Sequence, residues 1–114
     1  MPSIASISID AQAPEGQSYV LTIEVGAPYP HPRHRAWACD LSLSPLYDDL
    51  MPAVGQDPLQ ALCLALRLAA SLLEGFLQRG GTLSIEGERF PIEAYFDPPF
   101  TGLSVYSEQS AERG

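Results

Sequence analysis

Residues 57–81 read DPLQALCLALRLAASLLEGFLQRGG, and this stretch decides the fold. Asp57 stands where a helix N-cap accepts from the free amides of the first turn. Pro58 suits the first helical position, and Gln60 completes a box-like Asp-x-x-Gln start. At the other end, Gly80 or Gly81 can take the left-handed conformation that closes a helix. The span between these signals is roughly 22 residues, or about 33 Å at 1.5 Å per residue. On a helical wheel Gln60, Arg67, Ser71, Glu74 and Gln78 share one narrow polar line. Leu59, Leu62, Leu66, Leu73 and Leu77 are the expected core face. Ala61, Ala65 and Ala69 form a smooth ridge beside it, flanked by Leu68, Leu72 and Phe76. A helix this apolar needs cover on more than one side, so a partner or a second subunit becomes a live question.

Working outward, the segments on either side alternate with a period of two, as half-buried strands do. From Ile4 to Ala11, Ile7, Ile9 and Ala11 alternate with Ser6, Ser8 and Asp10. Pro14-Glu15-Gly16-Gln17 reads as a turn. Tyr19, Leu21, Ile23 and Val25 then define a second strand, paired with the first as an antiparallel hairpin. Pro28, Pro30 and Pro32 make Gly26 to Arg35 a loop or an edge crossing, because proline lacks the donor a central strand needs. Ala36 to Ser44 is a third strand, with Trp37, Cys39, Leu41 and Leu43 on one side. Pro45 to Gln56 is a connector. Beyond the helix, Thr82 to Ile85, the Glu86-Gly87-Glu88 turn and Arg89 to Ile92 predict a short hairpin whose second strand, carrying Pro91, lies at an edge. The segment from Ala94 to Tyr106 is aromatic and Pro-rich, with a last strand expected at Ser104 to Tyr106. The expected class is α+β: an antiparallel sheet in the order βββαββ with one long helix packed on one face. Residues 1–106 form the expected single domain and 107–114 a flexible C-terminal tail.

With 114 residues, a formal net charge of −8 and no lysine, the chain lacks the clustered cations that phosphate backbones and anionic lipid surfaces need. Nucleic acid and membrane are therefore not expected partners. The first residues carry no basic region followed by a long apolar run, and the apolar run from Ala61 to Leu66 is too short to span a bilayer. The expected location is the cytoplasm, with Cys39 and Cys63 reduced in apolar settings.

Few constellations suggest chemistry. His31, His34 and Cys39 match no zinc spacing and lack a fourth ligand, so no metal is expected. Cys39 alternates with Trp37 and Leu41 toward the core, where a thiol is inert. Gly80-Gly81 follows a helix and does not precede one, which rules out a phosphate loop. No Ser/His/Asp arrangement has a recognisable context. Arg33 and Arg35 are too small a basic patch for nucleic acid. No catalytic residue and no cofactor are expected. Asp40, Asp48, Asp49 and Asp57 are an acidic cluster in sequence, of which Asp57 is accounted for as a cap. The aromatic stretch near Phe96 and Phe100 reads as a lid on the core.

The pattern Trp37-Ala-Cys39 followed by Gly55-x-Asp57-x-x-Gln60-Ala61-Leu62-x-Leu64-Ala65-Leu66 resembles a family of small, uncharacterised bacterial domains. In them a Trp-x-Cys strand precedes a Gly-x-Asp-x-x-Gln-Ala-Leu helix, and a short strand pair follows. The resemblance covers roughly residues 18 to 93 and implies a fold but no catalytic residue. Some proteins of this kind sit beside toxin or effector genes, which implies an immunity association. The leading expectation is accordingly an acidic interaction protein and not an enzyme: an immunity protein that binds a cognate toxin or effector through Asp40, Tyr47, Asp48 and Asp49. A second expectation is a secretion chaperone-like homodimer joined through the helix flank. The third is a small-ligand or enzymatic domain using His31, His34 and Asp40.

Overall fold

The computed structural model describes residues 2–96. Its first two strands are β1 (Ser3–Gln12) and β2 (Ser18–Gly26), an antiparallel hairpin in one register from Ala5 opposite Val25 to Gln12 opposite Ser18, with a bulge between Ser3 and Ala5. The turn between them closes on Gly16, whose φ of 103° suits glycine and few other residues. Ile9, Ala11, Leu21, Ile23 and Val25 point to the core, as the alternation predicts, while Ser8 and Thr22 bond across the outer face at 3.0 Å.

The expected third strand is two. β4 (Trp37–Cys39) belongs to a three-stranded sheet with β3 (Tyr29–Pro30) and β6 (Ala53–Gly55), in the order β3-β4-β6. β5 (Leu41–Ser44) pairs instead with β2. The chain changes sheets at Asp40, whose carbonyl accepts from the Gly26 amide at 3.0 Å. Because the bend turns β4 away from the main sheet, Ala38 and Cys39 are both fully buried, one on each side of the strand. A single alternating face could not have accommodated both. Pro30 sits on an outer strand of the small sheet, as expected of a proline.

Helix α1 (Pro58–Gln78) begins and ends as its sequence predicts. The Gln60 amide donates to Asp57 Oδ1 at 2.8 Å, and Gln60 Oε1 accepts from the Gln56 amide at 2.6 Å. The reciprocal bond thus reaches one residue further back than in a standard capping box. At the C-terminus Gly80 takes φ 100° and donates to Leu77 O, while Gly81 donates to Phe76 O, a complete Schellman closure.

The inward face of α1 differs from the expectation. Ala61, Ala65, Ala69, Leu73 and Phe76 are buried, whereas Leu59 is 70% exposed and Leu66 38% exposed. The start of the helix lies close against β6: a Cβ placed on Gly55 would lie 2.6 Å from the Ala61 backbone nitrogen, so position 55 admits only glycine. Of the five leucines expected on the core face, Leu73 is fully buried as expected, while Leu62 and Leu77 line the margin. Leu62, Leu68, Leu72 and Leu77 pack, half-buried, around the central cluster. Cys63 faces outward and is exposed, which corrects the expectation of an apolar setting for both thiols.

After α1 comes the expected hairpin, β7 (Thr82–Ile85) and β8 (Glu88–Arg89), joined by Glu86 and Gly87 at φ 52° and 82°. Positive φ at both central residues gives the I′-type turn that strand twist prefers. β8 is the outer strand of a five-stranded antiparallel sheet, β5-β2-β1-β7-β8. Phe90 is buried beneath it; the second strand, expected to run from Arg89 to Ile92, ends at Arg89, and a short α2 (Ile92–Tyr95) takes its place. The architecture is α+β, an antiparallel sheet and a small second sheet under one long helix. The expected last strand at 104–106, the C-terminal part of the domain and the tail at 107–114 lie outside the described residues.

Candidate partner-binding surface

Four residues were marked by the sequence as a possible interaction surface, and the fold divides them. Asp40 occupies the bend before β5. Tyr47, Asp48 and Asp49 follow the far end of that strand, so four residues of β5, about 13 Å of extended chain, lie between the two groups.

Asp40 is half-buried and engaged. Its Oδ1 accepts from the Tyr29 hydroxyl at 2.9 Å. That hydrogen bond, with smaller contributions from burial and the neighbouring charge, raises the Tyr29 pKa above the ordinary tyrosine value. Beside it the Cys39 thiol donates to the Gly26 carbonyl at 3.3 Å, and burial first, then Asp40, pushes its pKa up. A thiol so placed stays protonated and unreactive. Tyr29 was not singled out in the sequence. Its position three residues after β2, in a run of prolines, carries no sign of a partner eleven residues away.

Tyr47 is pinned by a pair of backbone bonds with Leu43, its amide donating to Leu43 O at 2.7 Å and its carbonyl accepting from Leu43 N at 3.1 Å. The ring packs half-buried against the core margin. Nearby, the Tyr19 pKa is raised by burial first, then by Glu15 and Tyr47. Asp48 and Asp49 follow directly and are exposed, and neither enters an ion pair among the described residues. This loop borders an open groove of about 670 Å³, where Pro45 and Leu46 face Tyr19 and Glu15 of the β1–β2 end and Arg79 at the end of α1. The arrangement is a half-buried aromatic ring beside two exposed carboxylates that enter no ion pair among the described residues.

The histidine loop is built differently. His31 and His34 stack with ring centroids 4.6 Å apart, and His31 Nδ1 accepts from the Arg33 amide at 3.0 Å. Among the described residues no three His, Cys, Asp or Glu side chains converge as metal ligands would. The 21 residues of α1 meet the length and apolarity of a membrane span, a test that a core helix also passes. In this fold its alanine line packs on β4 and β6.

These features define the chain as a small antiparallel α+β domain with a capped, alanine-faced helix. The family described as Domain of unknown function (DUF6968) matches residues 9–92, and the chain belongs to it. No curated protein and no solved structure matches the chain. The Trp37-Ala-Cys39 and Gly55-x-Asp57-x-x-Gln60 elements both fall inside the matched residues. Here they serve the sheet bend, the helix approach and the helix cap.

Proposed function

We propose that this chain is an interaction protein that binds a protein partner through the acidic loop Tyr47-Asp48-Asp49, most concretely an immunity protein that occludes a basic cleft on a toxin or effector. The observation that supports it is the pairing of a half-buried tyrosine with two exposed carboxylates that enter no ion pair among the described residues, in a chain of net charge −8. Tyrosine offers a large contact area at low entropic cost, and the carboxylates steer an oppositely charged partner during encounter. Asp40 contributes to the negative field but not a direct contact, because Tyr29 already holds it.

The test begins with the tagged full chain, used to capture its partner from native lysate, followed by association kinetics with the purified partner. Reversal of both charges, Asp48→Lys with Asp49→Lys, slows association by about tenfold or more at low salt and flattens its salt dependence. Tyr47→Ala acts mainly on dissociation. An association rate unchanged by the double reversal at low salt removes this surface from the proposal.

A further inference from the structure

Among the described residues β1 carries a long unpaired edge. β2 covers one side of it from Ser3 to Gln12, but β7 pairs with the other side only at Asp10, Ala11 and Gln12. Among the described residues no strand or backbone bond closes the remaining stretch, Ser3 to Ile9. Alternate residues there aim their amides and carbonyls away from β2 into open space. Natural edges are normally blunted by charge, by proline or by a bulge. This one reads SIASISI, without a single charged residue or proline, and its bulge between Ser3 and Ala5 touches only the extreme end. Beside the edge, on the side facing α1, an apolar groove of about 230 Å³ runs over Ala5 and Ile7, with Leu66, Tyr95 and Phe96 as its walls. Tyr95 is 52% exposed, although its ring could be covered at no electrostatic cost.

We propose that a second copy of this chain occupies both features, its β1 pairing antiparallel with β1 across a twofold axis so that the two main sheets become one. The edge dictates a strand as occupant, since only extended backbone matches its row of donors and acceptors. An antiparallel strand edge is its own complement under a twofold, which makes the contact isologous and closed. Charge then favours the same chain over a basic partner. Two molecules of net charge −8 can meet only where carboxylates do not face each other. β1 has one charged residue, Asp10, in the part that β7 already pairs, and Glu93 of α2 is held by Arg89 at 2.7 Å. The pairing does not involve the Tyr47–Asp49 loop, so it stands or falls independently of the proposed function.

The experiment is light scattering on the full chain over a wide concentration range, with hydrogen exchange at the same concentrations. The expected result is twice the single-chain mass, with the amides of Ser3–Ile9 protected when concentrated and released on dilution. Two variants then return the mass to that of one chain while leaving the circular dichroism spectrum unchanged. Ser6→Lys places a lysine on the edge opposite Glu24, where it is compatible with the monomer, and Leu66→Glu puts a charge in the groove wall. A single-chain mass at every concentration overturns the proposal, as does a dimer that both variants leave intact. A monomer whose β1 amides are nonetheless protected also overturns it, and assigns the edge to another part of the same chain.

Discussion

Two glycines near α1 are fixed by what stands next to them, and they fail differently. A Cβ on Gly81 would lie 2.5 Å from Cε2 of the buried Phe76 ring, a side chain that can shift at a cost. A Cβ on Gly55 would meet backbone, which cannot. Gly81→Ala is therefore expected to destabilise by about 1–3 kcal/mol in urea unfolding, and Gly55→Ala by more. Trimming the ring with Phe76→Leu should recover part of the loss at Gly81 and none at Gly55. Neither constraint is visible in the sequence, because it comes from elements brought together by folding. The cap at Asp57 is visible, since its partner Gln60 is three residues away, and Asp57→Ala is expected to cost about 1 kcal/mol. Titration separates other groups. Hydrogen bonds from Arg89 and the Glu93 backbone amide lower the Glu93 pKa to about 2, although the group is fully exposed. A carboxyl lowered in the folded state contributes above its ordinary pKa and loses that contribution as pH falls through about 2. Carboxyl-detected NMR should show this midpoint return to the usual range in Arg89→Gln. Tyr29 has the opposite sign. Its bond to Asp40 contributes below the ordinary tyrosine pKa and is lost as pH rises through the raised value, so Asp40→Asn should lower that midpoint in an ultraviolet titration.

At the scale of elements, the ends of α1 were legible and its orientation was not. Capping chemistry is local, and Asp57, Pro58, Gly80 and Gly81 announce both termini within a few residues. Which stripe turns inward depends on the neighbouring elements. Hydrophobicity alone favours the leucines, but Ala61, Ala65 and Ala69 are the residues with no exposure, together with Leu73. The contrast gives a direct test. Ala65→Leu, at a site with no exposure, should cost about 1–3 kcal/mol or more through overpacking, while Leu59→Ala should stay within about 0.5 kcal/mol. If the stripe were the one the wheel suggests, the order would reverse. The break between β4 and β5 was hidden for a related reason. Trp37, Cys39, Leu41 and Leu43 alternate without interruption, and the change of sheet at Asp40 appears only when Gly26 and Tyr29 are seen to hold it. The β7–β8 hairpin, by contrast, was readable from its Glu86-Gly87 turn.

For the whole molecule, alternation and capping were enough for the α+β class, and the acidic composition marked Asp48 and Asp49 as exposed candidates. They could not place Asp40, which sequence proximity grouped with that pair and the fold sets apart. Nor could they show that, among the described residues, β1 is an inner strand over three residues and an edge over seven, because that depends on the length of a β7 some seventy residues later. Sheet order has a further consequence, in the time during which the chain is made. β1 and β2 are neighbours in sequence and can pair early, and β5 can join them. β7 emerges only after the entire helix. Through that interval β7 is missing from its place beside Asp10–Gln12, and the alanine stripe that will cover the core is made only late in it. A nascent chain on the ribosome thus exposes its stickiest edge longest. Deleting charge or adding apolar residues near the N-terminus should be paid for in yield before it is seen in the stability of the finished fold.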